Sequence, residues 1–166
     1  MGFQGERYVA EELNQLMADG FRVFHDVPFE GYNMDHVLVG PTGVFVVETK
    51  TRRMPLLAGK KQYRVRFDGE KLQFPNGWDA DALDQIRRNK KTLSQWLSSA
   101  TGDRVIAEGI VTIPGWLVER VAQSNIHVVN PKEIRNLVTT LFRHALTGAE
   151  IQRASHQLEQ KCKLAV

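Results

Sequence analysis

A chain of 166 residues that is 42% hydrophobic and 25% charged has the length of one ordinary domain and the composition of a core-forming protein. Its longest apolar runs, such as Val44 to Val47, are strand-sized, which excludes a membrane helix of about 20 apolar residues. The lone Cys162 excludes an internal disulfide and a cysteine-built metal site, and with a start that lacks a secretory pattern it points to a reducing, cytoplasmic setting.

In chain order, Gly2 to Asp19 reads as a helix closed by Gly20, with Val9, Leu13, Leu16 and Met17 on one stripe that Phe3 extends. Glu6 projects within roughly 20° of Leu13, near the middle of that apolar face, where an acid needs a partner. FRVFHDV (Phe21 to Val27) reads as a strand and EGYN as a turn. MDHVLV and VFVVETK then flank Gly40-Pro41-Thr42-Gly43 as a hairpin, and QYRVRF and KLQF flank Asp68-Gly69-Glu70 as a second. Pro75-Asn76-Gly77 breaks the pattern before a long helix from about Asp79 to Ala100, with Leu83, Ile86, Leu93 and Leu97 toward the core. VIAEGIVTI and HVV read as buried strands. Asn130-Pro131-Lys132-Glu133 and Thr147-Gly148-Ala149-Glu150 are capping sequences for two final helices. The sum is an α/β fold with a mixed central β-sheet flanked by helices, spanning 1–166 as a single domain.

The first hairpin brings acids together. If Val39 and Val44 pair across the GPTG loop, Asp35 lies opposite Glu48. Like charges facing each other across a ladder repel, so a proton or a cation must compensate. Mg2+ (or Mn2+) suits the position, since it is commonly held by one or two carboxylates plus water and phosphate. Alternation puts Lys50 on the same face as Glu48, with Thr49 turned away. Two acids and a lysine at one strand end supply what phosphodiester cleavage requires: charge neutralisation and a positioned water. The bland alternative is a polar strand residue beside a weak surface ion pair.

Charge is uneven along the chain. From Lys50 to Lys91 there are 12 Lys/Arg against 5 Asp/Glu, while the remainder is net negative. Arg52, Arg53, Lys60, Lys61, Arg64, Arg66, Arg87 and Arg88 are read as phosphate contacts, which give affinity without sequence choice. A solvated basic face is the alternative. Trp78, Tyr63 and Phe67 lie among these charges, where packing is the expected use and base stacking the other. Alternation turns His36 away from Asp35, as a packed histidine, and the histidines show no metal-ligand spacing with one another.

GFQGE, then MDHVLVGPTGVFVVETK, then a basic stretch and a helix carrying Gln85 resemble the nuclease-related domain, NERD, over about residues 2–115. That family is assigned to the PD-(D/E)XK superfamily of restriction-endonuclease-like folds. The resemblance implies a metal-dependent nuclease, with DNA as the expected substrate. Asp35 and Glu48 would be metal ligands, the carbonyl of Thr49 a further one, and Lys50 would orient the water or stabilise the phosphate. It implies that Glu6 reaches the metal site from the first helix and that Gln85 completes it. The family's Asn-Pro before this glutamine is replaced here by WDADALDQ, which departs from the pattern. Homodimers are common in the superfamily, and the domain is often one part of a larger protein. Two other readings stay open: a nucleic-acid-binding module that keeps the fold without cutting, and an interaction domain using the helices from Pro131 onward.

Overall fold

In the computed structural model, which describes the backbone of residues 2–164 and side chains from residue 4, the chain runs through four α-helices and eleven strands. α1 (Gly2–Asn14) passes through a 3-10 turn into β1 (Arg22–Phe29), β2 (Tyr32–Gly40) and β3 (Gly43–Thr49). Short strands follow: β4 (Leu56–Leu57), β5 (Lys60–Lys61), β6 (Arg64–Phe67), β7 (Leu72–Phe74) and β8 (Gly77–Asp79). α2 (Asp81–Thr101), β9 (Ala107–Thr112), β10 (Leu117–Arg120), β11 (Ile126–Val129), α3 (Ile134–Thr140) and α4 (Gly148–Lys163) complete it.

The central sheet has the order β1-β2-β3-β9-β11. Its first three strands are antiparallel and the last three parallel, the mixed arrangement expected of hairpins joined to a helical crossover. β3 and β9 are buried almost throughout because helices cover both faces. Val37, Val39, Val44 and Val46 point to one side, under Leu83, Ile86 and Leu93 of α2 and Ala154 and Leu158 of α4. Leu38, Phe45 and Val47 point to the other, under Val9 and Leu13 of α1 and Ile134 and Val138 of α3. The architecture is that of a restriction-endonuclease-like α/β fold. Both expected capping boxes form, at Asn130 and at Thr147.

Differences from the sequence reading have local causes. The first helix tightens to 3-10 after Asn14 and ends on Gly20 at φ 86, so Met17 leaves the apolar stripe and is exposed. The extension of that stripe to Phe3 lies outside the described side chains. Pro75-Asn76-Gly77 is a turn rather than an end of the sheet: the chain returns as β8, whose Asp79 pairs with Leu72. α2 therefore starts at Asp81, two residues later than expected. β8 closes a second sheet of order β10-β6-β7-β8, of which only the β6–β7 hairpin was anticipated.

Candidate active site

The acid pair is made by the end of a ladder. β2 and β3 pair with Val39 opposite Val44 and His36 opposite Val47, so the next step outward brings Asp35 to Glu48. Regular pairing stops there, and the Thr49 N–H donates to Asp35 Oδ2 at 2.9 Å. Glu48 is 8% exposed, and its Oε1 accepts a hydrogen bond from Asn89 Nδ2 at 2.7 Å. Burial, then the charge of Asp35 and a hydrogen bond between the two carboxyls, push Glu48 up to about 8, against the smaller pull of the Asn89 amide.

Lys50 lines the same crevice as Glu48, but its ammonium is drawn to another acid: Nζ lies 2.7 Å from Asp79 Oδ2. Asp79 Oδ1 accepts the Ala82 N–H at 3.2 Å, so this carboxylate ties Lys50 to the first turn of α2. Burial opposes the Asp79 charge, yet the bonds from Lys50 and Ala82 hold its carboxyl below the usual range. The crevice, about 120 Å³, is lined by Glu48, Thr49, Lys50, Asp81, Ala82 and Gln85. It opens beyond the carboxyl end of β3, where ligands of open α/β sheets characteristically sit.

Glu6 is exposed, not set into an apolar face, because the buried stripe of α1 is narrower than its wheel suggests. Partial burial, then the charges of Asp35 and Asp26, raise its carboxyl above the ordinary value, which puts it within electrostatic reach of those two acids. Gly5 sets how closely α1 approaches: a methyl there would fall 2.5 Å from Thr51 Cγ2. Asp26 was not anticipated. Pairing of His25 with His36 and Val27 with Met34 leaves it across from Asp35, at φ 49. His36 is buried on the opposite side, with its Nδ1 2.9 Å from His25 Nδ1, as a packed residue should be.

A sequence model of the nuclease-related domain family, NERD, matches residues 1–114. The chain belongs to that family. No curated protein and no solved structure matches it. The matched part of this nuclease-related domain holds Glu6, Asp26, Asp35, Glu48, Lys50, Asp79, Gln85 and Asn89, and stops before α3 and α4.

A metal would find two carboxylates here. Among the described residues no cluster of three or more His, Cys, Asp or Glu is arranged to hold an ion. Two acids nonetheless suit Mg2+, which keeps several waters and uses one or two carboxylates. The chemistry of the pair fits too: Glu48 is buried against a second acid and an amide, and the lysine of the crevice, Lys50, is paired to Asp79 rather than to it.

The basic residues of the nuclease-related domain divide. Arg52 is engaged within the fold, its guanidinium 4.2 Å above the Phe74 ring and 3.2 Å from Asn76 Oδ1. Arg87 donates to the Gly69 carbonyl at 3.1 Å and pairs with Asp84. Arg53, Lys60, Lys61, Arg64, Arg66 and Arg88 are exposed. Phe67 is core, as expected, but Tyr63 and Trp78 are exposed, Trp78 to 66%. Asn89 and Asp79 were missed as site residues. Asn89 lies one helical turn beyond Gln85, a spacing that could have found it, whereas Asp79 needed β8 to be recognised.

Proposed function

We propose that the chain is a metal-dependent phosphodiesterase acting on DNA. The observation that carries this reading is the Asp35–Glu48 pair, two carboxyls at the end of one ladder, where burial and then the second acid drive Glu48 toward neutrality while the nearby Lys50 is paired to Asp79 instead. Asp35 and Glu48 would hold Mg2+ or Mn2+ with the Thr49 carbonyl. The ion would supply charge neutralisation at the phosphate and a more acidic bound water. Asn89 fixes the Glu48 carboxylate by its hydrogen bond, and Thr49 N–H fixes that of Asp35. Lys50, at the crevice wall, would turn from Asp79 toward the phosphate. Glu6 and Gln85 would hold waters at the rim, and the exposed arginines and lysines would contact the backbone on either side. The same reading takes residues 1–166 as one domain, since α4 packs with α2 on the central core, and sets it in the reducing cytoplasm.

A digest of supercoiled and linear DNA with Mg2+ or Mn2+ tests it. Cleavage that stops on chelation and in Asp35→Ala and Glu48→Ala is expected. Metal-independent products, or full activity in either variant, would remove the proposal. One observation favours a second reading, a module that binds without cutting: Lys50 is already neutralised by Asp79 at 2.7 Å. Salt-sensitive DNA binding with no products under any metal would select that reading.

A further inference from the structure

The second sheet carries a face that the fold leaves uncovered. Its inner residues Val65, Phe67, Leu72 and Phe74 are buried, while the register Trp78–Gln73–Arg66–Glu119 lays one row across the outer side of β8, β7, β6 and β10. Trp78 is 66% exposed there, although an indole is among the side chains that gain most from burial. The Lys71 ammonium lies 5.4 Å from its ring centroid, and Arg66 stands exposed in the same row. Arg64, also outward, is held by Glu119 at 3.1 Å.

Two links join this face to the acid pair. Trp78 is followed directly by Asp79, which holds Lys50, and it follows the Asn76 turn that Arg52 grips. Alternation turns Asp79 inward with Leu72, so the row runs on the other side of β8 from the carboxylate that holds Lys50, one residue away along the chain. A cationic surface with an exposed indole matches one kind of polyanion. In a duplex the base faces are stacked on each other and only edges and phosphates are presented. In a single strand every base offers a face to an aromatic ring, whatever its identity.

We infer that the outer face of β6, β7 and β8 is a docking track for single-stranded DNA, with an unpaired base stacked on Trp78 and phosphates met by Arg66 and Lys71. This deepens the proposed phosphodiesterase reading and rests on it, by naming the form of the substrate.

The test uses the full chain in EDTA, so that binding is read without cleavage, and a fluorescein-labelled oligo(dT) followed by anisotropy. Trp78→Ala should weaken binding about ten-fold or more, and Trp78→Phe should restore most of it, as base stacking requires. Arg66→Gln should lower the dependence of log Kd on log salt by about 0.7, one phosphate contact on a single strand. A hairpin duplex should bind more weakly than oligo(dT) and be indifferent to Trp78→Ala. Unchanged oligo(dT) affinity in a Trp78→Ala protein with wild-type Tm overturns the inference, as does a Trp78-dependent preference for duplex or for oligo(U). Failure of the two proposals is separable. Metal-dependent cleavage that ignores Trp78 leaves the phosphodiesterase and removes the track; Trp78-dependent binding with no cleavage does the reverse.

Discussion

Glu48 and Glu108 sit on adjacent parallel strands, β3 and β9, and both are almost fully buried, at 8% and 5% exposure. Their surroundings have opposite sign. Glu108 Oε2 lies 3.3 Å from His127 Nε2 and its Oε1 lies 3.6 Å from His144 Nε2. Burial pushes its carboxyl up, but the His127 hydrogen bond and the charges of Lys90, His127 and Arg143 outweigh that and hold it below the ordinary value. Glu48 has an amide and another acid instead, and is pushed up to about 8. Burial by itself therefore says little about function; what decides is whether the fold provides the compensating charge. At Glu108 it does, and the acid belongs to the structure. At Glu48 it does not.

The largest expected effect separates the two acids by activity. If the proposed chemistry holds, Glu48→Gln lowers metal-dependent cleavage by about 100-fold or more, the scale seen when a charge-stabilising group is removed. Glu108→Gln should leave kcat within a few-fold and instead cost about 1–3 kcal/mol in urea unfolding, because buried donors lose their charged acceptor. Glu48→Gln in metal-free protein at pH 8 should lose no stability. Equal destabilisation by both variants would erase the contrast.

A second, smaller effect is the direction in which pH acts. Glu48 has a folded-state pKa above its unfolded one, so its favourable contribution is full below about 4.5 and is lost as pH rises through about 8. The metal-free protein should lose Tm over that window relative to Glu48→Gln, and Mg2+ or Mn2+ should return it. Glu108, with a lowered value, contributes above the ordinary carboxylate range and loses its contribution on acidification. His36, lowered to about 4 by burial and then by His25, also destabilises as pH falls below about 6.5. The interval from about 6.5 to 8 thus lies above the windows of His36 and Glu108, and the comparison with Glu48→Gln singles out Glu48 within it. Parallel Tm curves for wild type and Glu48→Gln across it would show that the acid is not strained.

Much of this was legible because β-structure carries a strict period. The hairpin register from Val39 and Val44 fixed which residues meet, so Asp35 and Glu48 could be paired from the chain alone. The central sheet and the core side of α2 followed from apolar patterning for the same reason. The second sheet did not, since β8 and β10 are three and four residues long and owe their form to partners distant in sequence. Asp79 was lost with β8, and with it the partner of Lys50. Trp78 read as packing because exposure is a property of the uncovered face, which no local pattern reveals. Glu108 was overlooked because its compensating histidine, His127, comes from β11 and His144 from the segment before α4.

The smallest effect concerns how closely a helix brings a further acid to the uncompensated pair. Alanine within a helix is ordinarily favoured over glycine by about 0.5–1 kcal/mol, so Gly5→Ala in α1 would be expected to stabilise. Here the added methyl meets Thr51 Cγ2 at 2.5 Å, too close for either atom to stay in place. α1 must lift or Thr51 must turn, and lifting carries Glu6 away from Asp35 and Asp26, whose charges now raise its carboxyl. The variant should therefore lose about 1 kcal/mol rather than gain it, and bind Mn2+ a few-fold more weakly by titration calorimetry. Thr51→Ser removes the colliding methyl while keeping the hydroxyl, so adding it to Gly5→Ala should recover stability and Mn2+ affinity together. If stability returns without the affinity, Glu6 has no part in the site. The acid pair would then stand on its two strands and Asn89 alone.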